Sequence, residues 1–115
     1  MSALLLFDVP VDVTAFEECF GERFHPLLLR IPRLKELTVN RVGGAGKGVP
    51  SFYMVVEALF STEEAMQEGL NSEEGQAVAR DMGLFASGGV TVLFCQRAVD
   101  LSNQQPPFGA NLAPA

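Results

Sequence analysis

The fold of this chain is decided by one central stretch, Phe52-Tyr53-Met54-Val55-Val56-Glu57-Ala58-Leu59-Phe60-Ser61-Thr62-Glu63-Glu64. Its first part, residues 52–60, is mostly apolar and rich in aromatic and β-branched side chains, which predicts a β-strand. The following Ser61–Glu64 fits a capping box, in which a hydroxyl and a carboxylate satisfy backbone donors at a helix start. The centre of the chain is therefore predicted to be a strand that leads directly into a helix.

The same order appears nearer the N-terminus. Residues 3–7 form an apolar run that predicts the first strand, and Thr14–Glu17 fits a second capping box. Pro26 removes one backbone hydrogen bond, so we expect a kink near His25 before Pro32 ends the helix. The apolar residues of this helix recur at helical spacing, at Phe16, Phe20, Phe24, Leu27 and Ile31.

The remaining elements complete a ferredoxin-like pattern. A second strand is predicted over 37–42, followed by a glycine-rich hairpin loop. Helical sequence from about residue 62 to 82 is divided near Gly69, with Ser72 capping the second piece and Gly83 ending it. The fourth strand is predicted over 90–95. The order β-α-β-β-α-β predicts an α+β sandwich with both helices on one sheet face, residues 1–98 forming the domain and 99–115 an irregular tail.

The strands are apolar on both faces, which a sheet with one solvated face would not show. Neighbouring pairs such as Leu4-Leu5, Val55-Val56 and Leu93-Phe94 place an apolar side chain on each side. A second copy of the same sheet is the economical cover for the second face. We therefore expect a homodimer built sheet against sheet, a dimeric α+β barrel.

Composition excludes several classes of function. A net charge of −6 with only eight scattered Lys and Arg opposes nucleic-acid binding. The N-terminal apolar run is too short for a signal or a membrane span, so we expect a cytoplasmic protein without a membrane partner. Cys19, Cys95 and the single His25 lack the spacing of metal ligands, and the two cysteines are expected to be small buried thiols. We expect neither a metal nor a cofactor.

Glu57 is the most informative polar residue, because a carboxylate inside an apolar strand is unexpected. Alternation places it with Tyr53 on one face of the third strand, and pairing of Val42 with Ser51 would bring Asn40 opposite Tyr53. Such a cluster could orient a small polar group, with Phe24 or Phe85 as an apolar wall. The alternative is a salt bridge of Glu57 to Lys35 or Arg41, or a hydrogen bond across the dimer.

Other candidates are weaker. His25 is a general base by residue type, but the helical wheel places it opposite the apolar stripe. Asp81 flanks an apolar stripe and is either a ligand contact or a structural hydrogen-bond partner near a helix end. The loop Gly43–Gly48 is not a phosphate loop, because Arg41 stands where a first glycine belongs and a second strand follows it.

Three stretches of the chain resemble the EthD family, named for a protein of ethyl tert-butyl ether degradation. They are the residues from Glu57 to Met66, the segment Asn71-Ser72-Glu73-Glu74-Gly75-Gln76-Ala77, and the ending that runs from Asp81 through Gly88-Gly89 to Phe94. The resemblance covers about residues 3–96 and implies a dimeric α+β barrel. Where the family pattern carries H-x-P-L, this chain has Phe24 at the histidine position and His25 displaced by one, which argues against histidine-dependent catalysis.

Two functions follow as hypotheses. The first is an accessory protein of catabolism that binds a small apolar or aromatic metabolite. The alternative, which the resemblance also implies, is a cofactor-independent isomerase, cyclase or monooxygenase in which Glu57, Tyr53 or His25 handles protons. In both, Phe24, Asn40, Asp81 and Phe85 are the candidate ligand contacts. A dimer without a ligand site, in which each polar strand residue only satisfies a neighbour, is the third possibility.

Overall fold

A four-stranded antiparallel sheet with helices on one face forms the framework, in a computed structural model that describes residues 1–86 and 88–96. The strands are β1 (Ser2–Asp8), β2 (Leu34–Arg41), β3 (Phe52–Phe60) and β4 (Val90–Cys95). They lie in the order β2-β3-β1-β4, and every neighbouring pair is antiparallel. The helices are α1 (Val13–Cys19), a π-helical segment (Phe20–Phe24), α2 (His25–Leu29), α3 (Glu63–Asn71) and α4 (Glu73–Phe85). The predicted ferredoxin-like α+β fold is confirmed.

The core lies between the helices and the helix-facing side of the sheet. Alternate residues of β1 and β3 point there and are buried, as period two requires. Phe7 is fully buried at the centre, with the rings of Phe16 and Phe24 5.4 and 5.9 Å from its own. Edge-to-face ring pairs of this kind add stabilisation beyond the area they bury.

The first helix departs from the prediction at both its start and its middle. Asp12, not Thr14, is the N-cap, with its Oδ1 accepting from the backbone N–H of Ala15 at 3.1 Å. Around Pro26 the chain does not simply kink. It widens into the π segment, in which the N–H of His25 donates to the carbonyl of Phe20, five residues back. Proline clashes with the carbonyl four residues before it, and the wider turn relieves that clash.

The π segment also changes which residues are buried downstream. Leu28 is buried, whereas Leu27, which was predicted to lie on the apolar stripe, is only half-buried. A π turn takes more residues than an α turn, so it delays the buried position by one residue. Leu27 therefore departs from the predicted stripe, whereas Ile31, which lies beyond the end of α2, is buried as predicted.

The second helical stretch divides where the sequence indicated. Thr62 caps α3 through a 3.0 Å bond to the N–H of Ala65, and Ser72 caps α4 through a 3.1 Å bond to the N–H of Gly75. The prediction that Gly83 ends the helix was wrong, because α4 continues to Phe85. Glycine lowers helix propensity by only about 1 kcal/mol, and contacts of Phe85 with the core rings outweigh that.

Steric crowding explains why two glycines, Gly88 and Gly89, precede β4. A Cβ on Gly88 would lie 2.3 Å from the carbonyl oxygen of Val9, and Gly89 has a φ of +106°. The N–H of Asp8 donates to the Gly89 carbonyl at 3.0 Å. Only glycines allow the chain to pass this close to the end of β1 and enter β4 in register.

The β2–β3 pairing differs from the predicted register by two residues. Thr38 lies opposite Glu57, and Asn40 lies opposite Val55 rather than Tyr53. A shift of two keeps each side chain on its predicted face but changes its neighbours. In the described part of the chain, none of the helices has the length and apolar character needed to cross a membrane.

Candidate functional site

Glu57 lies on the sheet face that the helices do not cover. Its β3 neighbours Val56 and Ala58 point into the core, so Glu57 points the other way. The hydroxyl of Ser2, at the start of β1, donates to its Oε2 at 2.8 Å. Arg41, one of the two cations predicted as a salt-bridge partner, pairs instead with Glu17.

A cleft of about 370 Å³ opens beside Glu57. Among its polar groups are the carboxylate of Glu57, the hydroxyl of Ser2, the ammonium of Lys35 and the thiol of Cys95. Both cysteines of the chain are free and half-buried, not buried as predicted. A site with one acid, one cation and hydroxyl and thiol groups can hold a small polar group and accept a proton from it.

Tyr53 does not share this site, contrary to prediction. A bulge pairs Asp8 with Phe52 where regular register would pair it with Tyr53, and a bulge redirects the side chains of its strand. The Tyr53 hydroxyl therefore reaches α1 and donates to Oε2 of Glu17, while its ring packs edge-on against Phe16 at 5.7 Å.

Glu17, Tyr53 and Arg41 form a charge cluster at the rim of the helical layer. Arg41 binds Glu17 through Nε at 2.8 Å and Nη2 at 2.7 Å. This pairing, against some desolvation, lowers the pKa of Glu17, and the bond to Glu17 raises the pKa of Tyr53. Tyr53 is thus held as a neutral hydrogen-bond donor, which opposes a role as a proton-abstracting phenolate.

Two further candidates lie in the aromatic core. The rings of Phe24 and Phe85 are 4.8 Å apart, on the helix side of the sheet. They cannot form the wall of a Glu57 site, because the sheet stands between them and Glu57. The prediction that Phe24 or Phe85 forms a wall of the Glu57 pocket was therefore wrong. The sequence alone did not show on which side of the sheet each of these residues lies.

The remaining candidates are separate from one another. His25 stacks on Phe20 with ring centres 5.9 Å apart and does not line the Glu57 cleft. Asn40 is exposed on β2. Asp81 is buried on α4 and accepts from Nη2 of Arg23 at 2.5 Å, which is the structural pairing near a helix end that was one of its two predicted roles.

Sequence reasoning missed an apolar cleft of about 270 Å³ between the helices and the β4 side of the sheet. In the part of the chain that the structure describes, this lining carries no polar side chain. It consists of Ala3, Leu5, Leu28, Ile31, Ala58, Leu70, Gly75, Val78, Ala79, Met82, Val92 and Phe94. Small residues on the sheet, Ala3 and Ala58, and on α4, Ala79, leave the space open. That pairing of small residues was visible in the sequence, but only the packing shows that they face one cleft.

This protein is a ferredoxin-like α+β domain with clefts on both sheet faces and one largely apolar sheet face that residues 1–86 and 88–96 leave uncovered. The family model of the EthD domain matches residues 11–89, and the chain belongs to the EthD family. An uncharacterized 11.0 kDa protein in the thcB-thcC intergenic region of Rhodococcus erythropolis is 32% identical over 90 residues, 78% of this chain and 87% of that protein.

Solved structures share the fold. An EthD family protein from Bacillus halodurans has a TM-score of 0.80 at 28% identity, over 84% of this chain and 96% of its own. A dimeric ferredoxin-like protein of unknown function from Thermobifida fusca has a TM-score of 0.62 at 15% identity, over 83% and 89%. SnoaB, a cofactor-independent oxygenase from Streptomyces nogalater, has a TM-score of 0.56 at 16% identity, over 85% and 94%. The last two likenesses establish a common fold only.

Proposed function

We propose that this EthD family protein is a cytoplasmic homodimer that binds a small apolar or aromatic molecule, in an accessory role in the breakdown of such compounds. The observation that supports binding is the apolar cleft between α2, α4 and the sheet. A cavity of about 150 Å³ with an aliphatic and aromatic lining stays dry and binds benzene. A cleft of about 270 Å³ has room for a molecule of about ten non-hydrogen atoms.

The chemistry of this cleft favours binding over catalysis. None of its lining side chains can donate a proton, accept one or stabilise a charge. Its energy of interaction with a ligand comes from apolar area removed from water, at about 25 cal/mol per Å². Such a site holds a hydrocarbon-like molecule without acting on it, which is what an accessory protein does.

The homodimer is supported by the uncovered sheet face. Leu4, Leu6, Val55, Leu59 and Leu93 alternate onto that face, and Leu93 is 47% exposed. A largely apolar face of this kind is typical of an interface. The protein from Thermobifida fusca with the same fold is described as dimeric.

Titration with ethylbenzene, followed by amide chemical shifts in NMR, tests the binding function. We expect shifts around Val78, Ala79 and Val92, with a dissociation constant between about 1 μM and 1 mM, since small ligands gain roughly 0.5–1 kcal/mol per non-hydrogen atom. Ala79→Phe fills the cleft from an exposed helical position and should weaken binding at least tenfold. The matched control is Ala15→Phe, on α1 at a different cleft, which should leave ethylbenzene binding unchanged.

Two results would contradict this function. One is the absence of saturable shifts up to the solubility limit of ethylbenzene. The other is equal affinity of the wild type and Ala79→Phe, because the ligand would then lie elsewhere. Circular dichroism of both variants checks that each remains folded.

A second candidate function is cofactor-independent catalysis at Glu57, as in the isomerase, cyclase or monooxygenase hypothesis. The observation in its favour is the carboxylate of Glu57, held by Ser2 in a cleft on the face that a second copy would cover. SnoaB, which shares the fold, is described as a cofactor-independent oxygenase. Closure by a partner would exclude water and strengthen each polar contact with a substrate.

Glu57→Gln separates the two functions, because it keeps the shape of the side chain and removes its charge. An enzyme should lose product formation, measured by mass spectrometry after aerobic incubation with a panel of aromatic compounds. A protein that binds in the apolar cleft should keep its ethylbenzene affinity in this variant. Product formation that persists in Glu57→Gln would exclude Glu57 as the catalytic carboxylate.

A further inference from the structure

Arg23 stands at a third cleft, which neither proposed function uses. This cleft, of about 370 Å³, lies between α1, the π segment and the end of α4. Among its lining residues are Arg23, the aromatic rings of Phe16 and Phe85, and Ala15 and Asp12 of the α1 start. It is thus a site with an aromatic floor and one guanidinium.

Two observations make Arg23 a candidate ligand contact. Arg23 lies in the π segment, and π turns within helices occur frequently at functional sites. Its Nη2 donates to Asp81, whose side chain is only 7% exposed, at 2.5 Å. A buried carboxylate fixes its partner, because separating the pair would leave a charge without compensation.

Most of the donors of Arg23 remain available. The arginine side chain carries five N–H donors, and within residues 1–86 and 88–96 its hydrogen bonding is the single bond from Nη2 to Asp81. Arg41, by contrast, donates hydrogen bonds to Glu17 through two of its nitrogens. The side chain of Arg23 is 59% exposed, so its free edge can reach a molecule that enters the cleft.

The aromatic rings beside Arg23 offer a ligand a second kind of contact, in addition to the hydrogen-bond donors of Arg23. The half-buried ring of Phe85 forms the aromatic surface of the cleft, and the buried ring of Phe16 lies 5.2 Å from it at a tilt of 38°. Aromatic ligands pack on such rings in offset or edge-to-face geometry. A flat aromatic molecule placed there brings a substituent within reach of the guanidinium.

We propose that this cleft binds an aromatic molecule through a neutral carbonyl oxygen, a ketone, ester or amide, to which Arg23 donates. A neutral acceptor fits better than a carboxylate for electrostatic reasons. Asp81 already compensates the charge of Arg23, Asp12 places a carboxylate in the lining, and the chain carries a net charge of −6. A second anion would meet repulsion there, whereas a carbonyl needs only the free N–H groups.

This site is independent of the apolar cleft, so the two proposals can fail separately. Acetophenone is the probe, and α-methylstyrene is its matched control, since a CH₂ group replaces the oxygen at nearly constant shape. Benzoate tests the anion alternative. NMR titration of the full chain should shift the side-chain Nε–H of Arg23 and the amide of Ala15 with acetophenone.

Two variants give the quantitative test. Ala15→Phe obstructs the cleft without touching the Arg23–Asp81 pair and should weaken acetophenone at least tenfold, while Ala79→Phe should leave this binding unchanged. Arg23→Met combined with Asp81→Leu removes both charges together, so that no buried charge is left unpaired. In this double variant the affinity ratio of acetophenone to α-methylstyrene should fall about tenfold or more, the value of a hydrogen bond from a charged donor.

Several outcomes would overturn the proposal. An affinity ratio that the double variant leaves unchanged would show that Arg23 does not contact the carbonyl. Tighter binding of benzoate than of acetophenone would make this an anion site. Shifts confined to Val78, Ala79 and Val92, or no saturable shifts at all, would show that the Arg23 cleft takes no such ligand.

Discussion

Two glycines of α4 are expected to respond in opposite directions to the same substitution. Gly75 lies in the first turn of the helix, where its N–H binds the Ser72 cap, and Gly83 lies near the end on an exposed face. A Cβ on Gly75 would lie 2.4 Å from the carbonyl oxygens of Gly69 and Leu70. A Cβ on Gly83 meets no atom within 4 Å.

The sign of each effect follows from these distances. Ordinary contact begins at 3.4 Å, so Gly75→Ala must move the α3–α4 junction by 3.4 − 2.4 = 1.0 Å. Overpacking of this kind lowers the free energy of unfolding by about 1–3 kcal/mol, and the higher helix propensity of alanine offsets about 1 kcal/mol of that loss. Distortion of the Ser72 cap adds to the loss, and a lost cap costs typically about 1 kcal/mol. We therefore expect Gly75→Ala to lose about 1–3 kcal/mol and Gly83→Ala to gain about 0.5–1 kcal/mol.

Thermal unfolding followed by circular dichroism, at one fixed protein concentration, measures both changes. The two changes together amount to a difference of about 1.5–4 kcal/mol, which corresponds to melting temperatures about 6–20 °C apart for a domain of this size. The fixed concentration matters because the stability of a dimer depends on it. Equal stability of Gly75→Ala and the wild type would refute the close helix junction, and a loss in Gly83→Ala would refute the open environment of that residue.

Three other predictions concern charge, assembly and the tail. Glu17→Gln should destabilise the protein more at neutral pH than at acid pH. The pKa of Glu17 is lowered by folding, so its contribution is present above the unfolded pKa of about 4.5 and is lost as the pH falls through the folded value. Urea unfolding at both pH values checks this, and an equal loss at both would contradict it. Light scattering at micromolar concentration should give the mass of a dimer. Leu93→Glu should weaken or dissociate this dimer, because it places a charge on the uncovered sheet face. A monomeric wild type would contradict the sheet-to-sheet assembly. A chain ending at Asp100 should still fold and dimerise, as the predicted boundary near residue 98 implies. That boundary and the tail lie outside the described residues, and aggregation of the shortened chain would show that the tail covers apolar surface.

Part of the candidate site was predictable, because a residue of unexpected type can be recognised from its immediate neighbours in the sequence. Glu57 is a carboxylate within an apolar strand, which is unexpected. In the structure it accepts a hydrogen bond from the Ser2 hydroxyl and lies beside a cleft. Its grouping with Tyr53 failed because alternation assumes a regular strand. The bulge opposite Asp8 redirects Tyr53 to Glu17, and a bulge leaves no reliable trace in one sequence.

The sequence by itself determined the order of the elements, the bounds of β3 and β4, the cap at Ser72, and the apolar character of both sheet faces. These depend on neighbours a few residues apart, whose spacing is fixed by the periods of helix and strand. The tertiary structure alone decided which cleft lies on which face and which distant charges meet. Arg23 and Asp81 are 58 positions apart in the chain, and their pairing depends on the π turn and on how closely the helices pack. The apolar cleft is a property of the space between layers, which no local pattern encodes.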